Sequence, residues 1–141
     1  MSDLVDAPGD WQLVQPRDWP APRGYANGVS ARGRTVFVAG QIGWNPLTCE
    51  FESDDFVRQT EQALRNVAAV LAAAGAEPRH LARLTWYVVD GESYRARQRE
   101  IGAAYREILG RHFPAMAAVF VAGLVEPRAR VEIEATAVVP D

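Results

Sequence analysis

The sequence has little of what secreted, metal-binding or membrane-spanning proteins need. It contains one cysteine, Cys49, so no internal disulfide can form, and two histidines, His80 and His112, which together are too few ligands to predict a structural zinc site. The start lacks the basic and apolar regions of a signal peptide, and the longest mostly apolar stretch, residues 67–76, is far shorter than the roughly 20 residues that cross a bilayer. We therefore expect a cytoplasmic protein with no membrane partner.

Charge and signature motifs exclude further classes. Eighteen acidic and fifteen basic residues give a net charge of -3, so no electrostatic footprint for a nucleic-acid backbone stands out. The sequence has no Gly-x-Ser-x-Gly elbow, no phosphate-binding Gly-x-x-x-x-Gly-Lys, no Gly-x-Gly-x-x-Gly and no His-Glu-x-x-His. We expect no nucleic-acid partner, and the search for short motifs reaches only the fold class.

The length and composition are those of one folded domain. Hydrophobic residues make up 48% and charged residues 23% of the 141 residues, which excludes disorder as the main state. We expect a single domain over residues 1–141. Its first 24 residues, rich in proline and glycine, form an N-terminal arm in which residues 11–14 predict at most an edge strand.

The rest of the chain alternates between β-like and helical patterns. Residues 26–30 and 35–42 are β-like, and the Ala-Arg-Gly-Arg turn between them predicts a hairpin. One amphipathic helix follows Ser53 and ends at Gly75, where a left-handed cap belongs, and a second follows Ser93. Further strands are predicted over residues 81–89, 117–124 and 130–139. This order predicts an α+β sandwich, with a mixed, mainly antiparallel sheet and two helices packed on one face.

The last strand predicts a polar sheet face opposite the helices. Its alternation places Arg130, Glu132, Glu134 and Thr136 on one face and apolar residues on the other. Two acids beside an arginine would be costly to bury without partners or a purpose. The pattern leaves two alternatives open, a salt-bridge network at an interface and an acid/base site.

The isolated titratable residues are better explained by structure than by catalysis. His112 comes just past a helix end, where an imidazole commonly bonds free carbonyls, and His80 is no stronger a candidate. Cys49 lies in a loop with no base nearby in sequence, so we do not take it as a nucleophile.

Several motifs, in order along nearly the whole chain, resemble one known family. They are Val-Phe-Val-Ala-Gly-Gln-Ile at 36–42, Asn-Pro-Leu-Thr at 45–48, Gln-Ala-Leu-Arg-Asn-Val at 62–67, Phe-Pro-Ala at 113–115 and Val-Glu-Ile-Glu-Ala at 131–135. From about Gly24 to Val139 the sequence resembles the Rid (YjgF/YER057c) superfamily. The resemblance implies a chorismate-mutase-like fold, assembled as a homotrimer with small-molecule clefts between subunits. It also implies hydrolysis of reactive enamines and imines with no metal or organic cofactor.

The resemblance assigns roles to particular positions. Glu132 matches the family's catalytic glutamate, which positions or activates the attacking water, Tyr25 matches the cleft tyrosine, and Gly40 matches the strand glycine whose backbone lies against the ligand. The family's Pro-Ala-Arg, whose arginine clamps the substrate carboxylate, is replaced here by Pro-Ala-Met ending at Met116. Gly102 falls roughly where many members have a cleft asparagine.

These departures predict a remodelled cleft. Trp44 follows the strand at the mouth of the inferred site and Met116 would line its floor, which together favour a more apolar, aromatic ligand; the alternative is that both residues fill the core or a trimer contact. Three functions remain: a Rid-type imine or enamine hydrolase, a non-catalytic trimer that binds a metabolite or partner protein, and RNA cleavage or translation inhibition. The acidic balance and the lack of an aromatic and basic platform argue against the third.

Overall fold

The structure, a computed structural model, describes residues 10–141, so the first nine residues of the expected N-terminal arm lie outside it. Six strands and three helices alternate along the chain. The strands are β1 (Trp11–Val14), β2 (Gly28–Ala31), β3 (Arg34–Ile42), β4 (Leu81–Val88), β5 (Ala115–Phe120) and β6 (Val131–Val139). The helices are α1 (Phe56–Ala73), α2 (Gly91–Ala96) and α3 (Gln98–Leu109), and a 3-10 turn at Pro78–His80 leads into β4.

The main sheet has four strands in the order β3-β6-β4-β5. Strand β6 pairs antiparallel with both of its neighbours, whereas β5 pairs parallel with β4 at the edge of the sheet. A parallel pair needs a long crossover connection, and here α2 and α3 supply it. The mixed, mainly antiparallel α+β fold predicted from the sequence is confirmed.

The predicted hairpin between residues 26–30 and 35–42 is wrong. Strand β2 instead pairs antiparallel with β1, in a separate two-stranded sheet, while β3 pairs with β6. The edge strand predicted over residues 11–14 is therefore present and takes the partner that we assigned to β3. Local turn chemistry predicted a reversal, but the pairing is decided by which strand lies alongside, and that depends on the whole fold.

Helix α1 covers one face of the sheet and ends where its sequence predicts, but its N-cap is Asp55 rather than the expected Ser53. The side chain of Asp55, the N-cap residue, accepts a hydrogen bond from the backbone N–H of Arg58, and Ser53 Oγ accepts one from the N–H of Asp55. Beyond the C-terminus Gly75 has a φ of 73°, as expected for a left-handed cap. The buried stripe of α1, which includes Leu64 and Leu71, packs on β3 and β6.

The second helical region is two helices rather than the one expected after Ser93. The helical conformation is interrupted at Arg97, which caps the end of α2 and the start of α3. The guanidinium of Arg97 is 2.6 Å from Asp55 Oδ1 and 2.7 Å from Glu100 Oε2, so it fastens the start of α3 to the start of α1. Helix α3 therefore packs against α1. A gap is left between α3 and the β4–β5 edge of the sheet.

Strand β6 shows the predicted alternation between its two faces. Val131, Ile133 and Ala135 are buried beneath the helices, whereas Glu132 and Glu134 lie half-buried on the opposite face, which no helix covers in residues 10–141. No helix in the described part of the chain is long and apolar enough to cross a membrane.

Candidate functional site

On the open face of the sheet, Glu132 lies against Gly40. Strand β3 has a register irregularity between Val38 and Gln41, which places Gly40 beside the Glu132 side chain. A Cβ atom on residue 40 would overlap Oε1 of Glu132, so only glycine leaves room for this carboxylate. Glu132 makes no hydrogen bond or ion pair with any residue in 10–141. Its carboxylate is therefore available to a ligand or a water molecule.

The neighbouring acid on the same face, Glu134, is occupied. The phenol of Tyr87 donates a hydrogen bond of 2.7 Å to Glu134 Oε1, and this bond is the largest cause of the raised pKa of Tyr87. Tyr87 is also the register partner of Glu132 across β4 and β6. Of the two carboxylates that the sequence singled out, only Glu132 is left without a protein partner among the described residues.

A cavity of about 520 Å³ lies on the other side of the sheet, between α3 and the β4–β5 edge. This volume is within the usual range for small-molecule sites. Its walls come from the loop before β2, from β4 and β5, from α2 and α3, and from the turn before β5. The lining residues are Arg23, Gly24, Tyr25, Trp86, Tyr94, Gln98, Ile101, Gly102, Tyr105, Arg106, Phe113, Met116 and Ala118.

Three positions singled out from the sequence meet in this cavity. Tyr25 and Met116 both line it, as does Gly102, the position where many family members have an asparagine. Met116 pairs in register with the buried Leu84 and packs against the core on the helix side of the sheet. Met116 was expected to line the floor of a site, and it does line this cavity, among aromatic side chains.

The predicted site residues therefore form two groups on opposite faces of one sheet. Gly40 and Glu132 lie on the open face, and Tyr25 and Met116 lie on the helix side. Within one chain the strands β6 and β4 separate the two groups. No single copy of residues 10–141 brings the carboxylate of Glu132 into the cavity that holds Met116.

Trp44 belongs to neither group in its described contacts. Its ring lies 6.0 Å from that of Phe51, and its carbonyl accepts a hydrogen bond from Asn66 Nδ2. These contacts hold the loop after β3 against α1. The role expected for Trp44, at the mouth of a site with Met116 on its floor, stays a prediction, because the two residues do not meet within one chain.

The two histidines lie beside the start of β4. His80 Nδ1 accepts a hydrogen bond from the backbone N–H of Glu77, and His112 Nε2 is 2.8 Å from the carbonyl of Leu81, to which it donates. The ring of Trp11 lies 4.6 Å from the ring of His112. Burial lowers the pKa of both histidines, so the neutral imidazoles are structural groups.

Nothing in the described residues forms a metal centre. No group of three or more histidine, cysteine, aspartate or glutamate side chains between residues 10 and 141 is placed to hold an ion. Cys49 is exposed, in a loop, with a φ of 57°.

Sequence reasoning missed several residues of the cavity, two of which carry polar groups that a ligand could use. Trp86 lies in β4 and is buried, and its Nε1 is the only buried side-chain nitrogen or oxygen in residues 10–141 that lacks a hydrogen-bond partner. Arg106 is exposed on α3, yet it also lines the cavity. The spacing of Gly102 and Arg106, four residues apart on one helix face, was the available signal.

The chain is similar to known proteins over nearly its whole length. A family model described as Endoribonuclease L-PSP matches residues 17–139. A 2-iminobutanoate/2-iminopropanoate deaminase from Capra hircus is 33% identical over 138 residues, which cover 98% of this chain and 93% of that protein. Protein DfrA from Myxococcus xanthus is 38% identical over 111 residues, 75% of this chain and 77% of its own length. The crystal structure of YyfB, a conserved Rid family protein from Yersinia pestis, superposes with a TM-score of 0.79 at 34% identity, covering 93% of this chain and 100% of that one.

Proposed function

This chain belongs to the endoribonuclease L-PSP family, the family of the Rid proteins, and from that premise we propose that it hydrolyses the carbon-nitrogen double bond of a small imine or its enamine tautomer. The observation that carries this proposal is the carboxylate of Glu132, which lies against Gly40 without a protein partner in the described chain. The similarity to an imine deaminase supports the same reaction class.

In the proposed reaction, Glu132 acts on water. Its carboxylate accepts a proton as the water oxygen forms a bond to the imine carbon, and the former double bond becomes a single bond to nitrogen. The protonated Glu132 returns that proton to the nitrogen, which gives a carbinolamine. The hydroxyl proton then passes to the nitrogen through the Glu132 carboxylate, the carbon-oxygen double bond forms, and the carbon-nitrogen bond breaks to release ammonia. The products are one carbonyl compound and one ammonia, and no oxidant, metal or organic cofactor is required.

We propose that the site is completed by a second copy of the chain in a homotrimer. The Tyr25 and Met116 cavity and the Glu132 carboxylate lie on opposite faces of one sheet, so a ligand that touches both must lie between two subunits. Light scattering tests the assembly, with an expected mass three times the 15.5 kDa of the chain.

Met116 supports an altered substrate. A bidentate arginine contact is among the stronger ways to orient a carboxylate, and a thioether offers only soft apolar contact in its place. The cavity around Met116 is lined by Trp86, Tyr94 and Phe113, which suit a large apolar or aromatic substituent. We propose that the substrate carries such a group, unlike 2-aminoacrylate.

The loss of the arginine also keeps a second candidate open. A trimer that binds a metabolite or a partner protein without turning it over would use the same cavity, and it would have no need to orient a carboxylate for attack. The two candidates differ in what Glu132 does, because removing a water-positioning base lowers the rate far more than the affinity.

The experiment generates a panel of imines with an amino-acid oxidase, and semicarbazide trapping reports how fast each imine is removed. We expect acceleration by the wild-type protein that falls by about 100-fold or more in Glu132→Gln. The matched control is Glu134→Gln, an equal change on the same strand face, at a carboxylate already bonded to Tyr87, and it should keep most of the rate.

Two results would contradict the hydrolase proposal. One is no acceleration of any imine by a folded wild-type trimer, which would favour the ligand-binding candidate. The other is an equal loss of rate in both glutamine variants, because Glu132 would then have no special part in the chemistry.

A further inference from the structure

The helix-side cavity contains a guanidinium even though Met116 has replaced the arginine on its floor. Arg106, one turn of α3 after Gly102, lines the same cavity as Met116 and Tyr25. A Cβ atom on residue 102 would lie 3.1 Å from Arg106 Nη1, so the guanidinium rests over the glycine. Because residue 102 has no side chain, the Arg106 side chain can fold across α3 to the cavity.

This guanidinium is not used elsewhere in the described chain. Neither Arg106 nor Arg23, the other cation in the cavity wall, forms a salt bridge or side-chain hydrogen bond within residues 10–141. No lining residue is an aspartate or a glutamate. Other arginines of this surface are paired, such as Arg97 with Asp55 and Glu100. The electrostatic potential of the cavity therefore favours an anion.

The cavity also has an unsatisfied donor. Trp86 is 4% exposed and lines the cavity, and its Nε1 has no partner within residues 10–141. A buried N–H without an acceptor is costly, which indicates that a ligand or an ordered water supplies one. Its neighbour Tyr94 meets it edge to face, with 6.5 Å between ring centroids, so the donor is set in an aromatic wall.

From these observations we propose that Arg106 takes over carboxylate binding from the position occupied by Met116, and that the cavity binds aromatic 2-oxo acids and their imines. The carboxylate contacts the Arg106 guanidinium at the mouth, the aromatic ring packs against Met116 and Phe113, and a ligand oxygen or nitrogen accepts from Trp86 Nε1. This rests on the proposed function for the imine, but the binding step stands without turnover.

Binding is measured by calorimetry with three probes that separate the two halves of the ligand. Phenylpyruvate has both the ring and the carboxylate, its methyl ester keeps the ring without the charge, and pyruvate keeps the carboxylate without the ring. We expect phenylpyruvate to bind about tenfold or more tightly than either of the others. Failure of phenylpyruvate to bind the wild-type protein overturns the proposal.

Two arginine variants test whether Arg106 contacts the ligand carboxylate. Arg106→Ala should weaken phenylpyruvate binding by about tenfold and leave the ester unchanged. The matched control is Arg99→Ala, which removes the same charge from an exposed position on the same helix and should change neither affinity. Equal affinities for phenylpyruvate in Arg106→Ala and the wild type, or equal losses in the two variants, overturn the proposal.

Gly102→Ala gives a second test, because it moves stability and binding in opposite directions. Alanine in place of a helical glycine should raise the free energy of unfolding, while its methyl group pushes the Arg106 guanidinium away and weakens phenylpyruvate binding several-fold. A variant that is more stable and binds as well as the wild type would contradict the proposed placement of the guanidinium.

The hydrolase function and the Arg106 assignment would be contradicted by different results. If phenylpyruvate binds through Arg106 but no imine is hydrolysed, the cavity assignment stands and the hydrolase function is wrong. If small apolar imines are hydrolysed with dependence on Glu132 but phenylpyruvate does not bind, the hydrolase function stands and the Arg106 assignment is wrong.

Discussion

The two faces of the four-stranded sheet differ in what they offer a ligand. The helix side has an aromatic cavity whose wall contains two guanidiniums, Arg23 and Arg106, which have no partner within residues 10–141, and its described lining has no acidic residue. The open face has two carboxylates, of which Glu132 is without a protein partner in residues 10–141. The helix side can hold an anion that carries an apolar group, and the Glu132 carboxylate on the open face can accept a proton from water.

Under the proposed function, substrate recognition and chemistry lie on separate surfaces of this chain. Each residue of β6 faces one side or the other, so the strand that carries Glu132 outward carries Ile133 into the core. A mutation on one face can therefore change specificity without touching the reacting group. The proposed assembly follows from the same separation, because only a second copy can bring the two surfaces together.

The largest effect on imine hydrolysis is expected when the two faces are disabled in different chains. Glu132→Gln removes the acid, and Ala118→Trp fills the cavity of β5, so each homotrimer should lose about 100-fold or more of its imine hydrolysis. If each site takes its two surfaces from adjacent subunits, an equimolar mixture refolded together should recover about a quarter of wild-type activity. The rate is measured by semicarbazide trapping before and after refolding.

The control for this hybrid experiment is the same two proteins mixed without refolding, which keeps the subunits from exchanging. No recovery after refolding, with wild-type activity returning after the same treatment, would show that the two surfaces do not meet between chains.

The next largest effect is expected at the contact between Gly40 and Glu132. Gly40→Ala should lower kcat by about 100-fold, because the added methyl group takes the space of the carboxylate and moves it away from the water. The matched control is Gly123→Ala, where an added Cβ would meet no atom within 4 Å. In Gly40→Ala the fall in kcat should be much larger than any change in phenylpyruvate affinity, and equal losses of rate and affinity would contradict the separation of the faces.

A smaller effect is expected at Arg97, which ties α3 to α1. Arg97→Ala should lower the free energy of unfolding slightly in urea denaturation, since the pair with Asp55 is partly exposed and screened by solvent. The hydrogen bond from Arg97 is the largest cause of the lowered pKa of Asp55, so this contribution is complete above the ordinary carboxyl pKa of about 4 and is lost as the pH falls through the lowered value. Arg99→Ala is the control, and an equal loss there would remove the special role of Arg97.

The sequence predicted the layers of the fold better than its pairings. Helix α1 with its cap at Gly75, strand β4 and strand β6 were predicted within a few residues, because each has a strong period and clear end signals. The β2–β3 hairpin was wrong because a turn signal does not say which strand is the neighbour. The break at Arg97 was missed because the apolar stripe runs through both α2 and α3.

For the candidate site, the sequence predicted the members but not their arrangement. Tyr25, Gly40, Met116 and Glu132 came from the resemblance, and their division between two faces follows from strand register, which sequence periodicity gives only for single strands. Trp86 and Phe113 were not found, because a buried aromatic residue in a core looks the same in sequence as one in a cavity wall.

The smallest expected effect is a loss of stability in acid that comes from His80 and His112. Burial lowers the pKa of His80 and His112, so the folded chain resists protonation more than the unfolded chain does. Their stability contribution is complete above the unfolded pKa of about 6.5 and is lost as the pH falls through the lower folded values. Urea denaturation on either side of that pH should show a loss, and His80→Gln should reduce the pH dependence. An unchanged dependence in the variant would assign the loss to other groups.

The parallel pairing of β4 with β5 also fixes when the cavity can exist during folding. The two strands are joined through α2 and α3, so this long connection must close before β5 can dock, and such long-range closure is slow. Until it closes, Trp86 is covered by neither β5 nor the helices that follow. In a variant with Trp11, Trp19 and Trp44 replaced by phenylalanine, fluorescence of the Trp86 indole during refolding should therefore report the last step, and ligand binding should appear only with it.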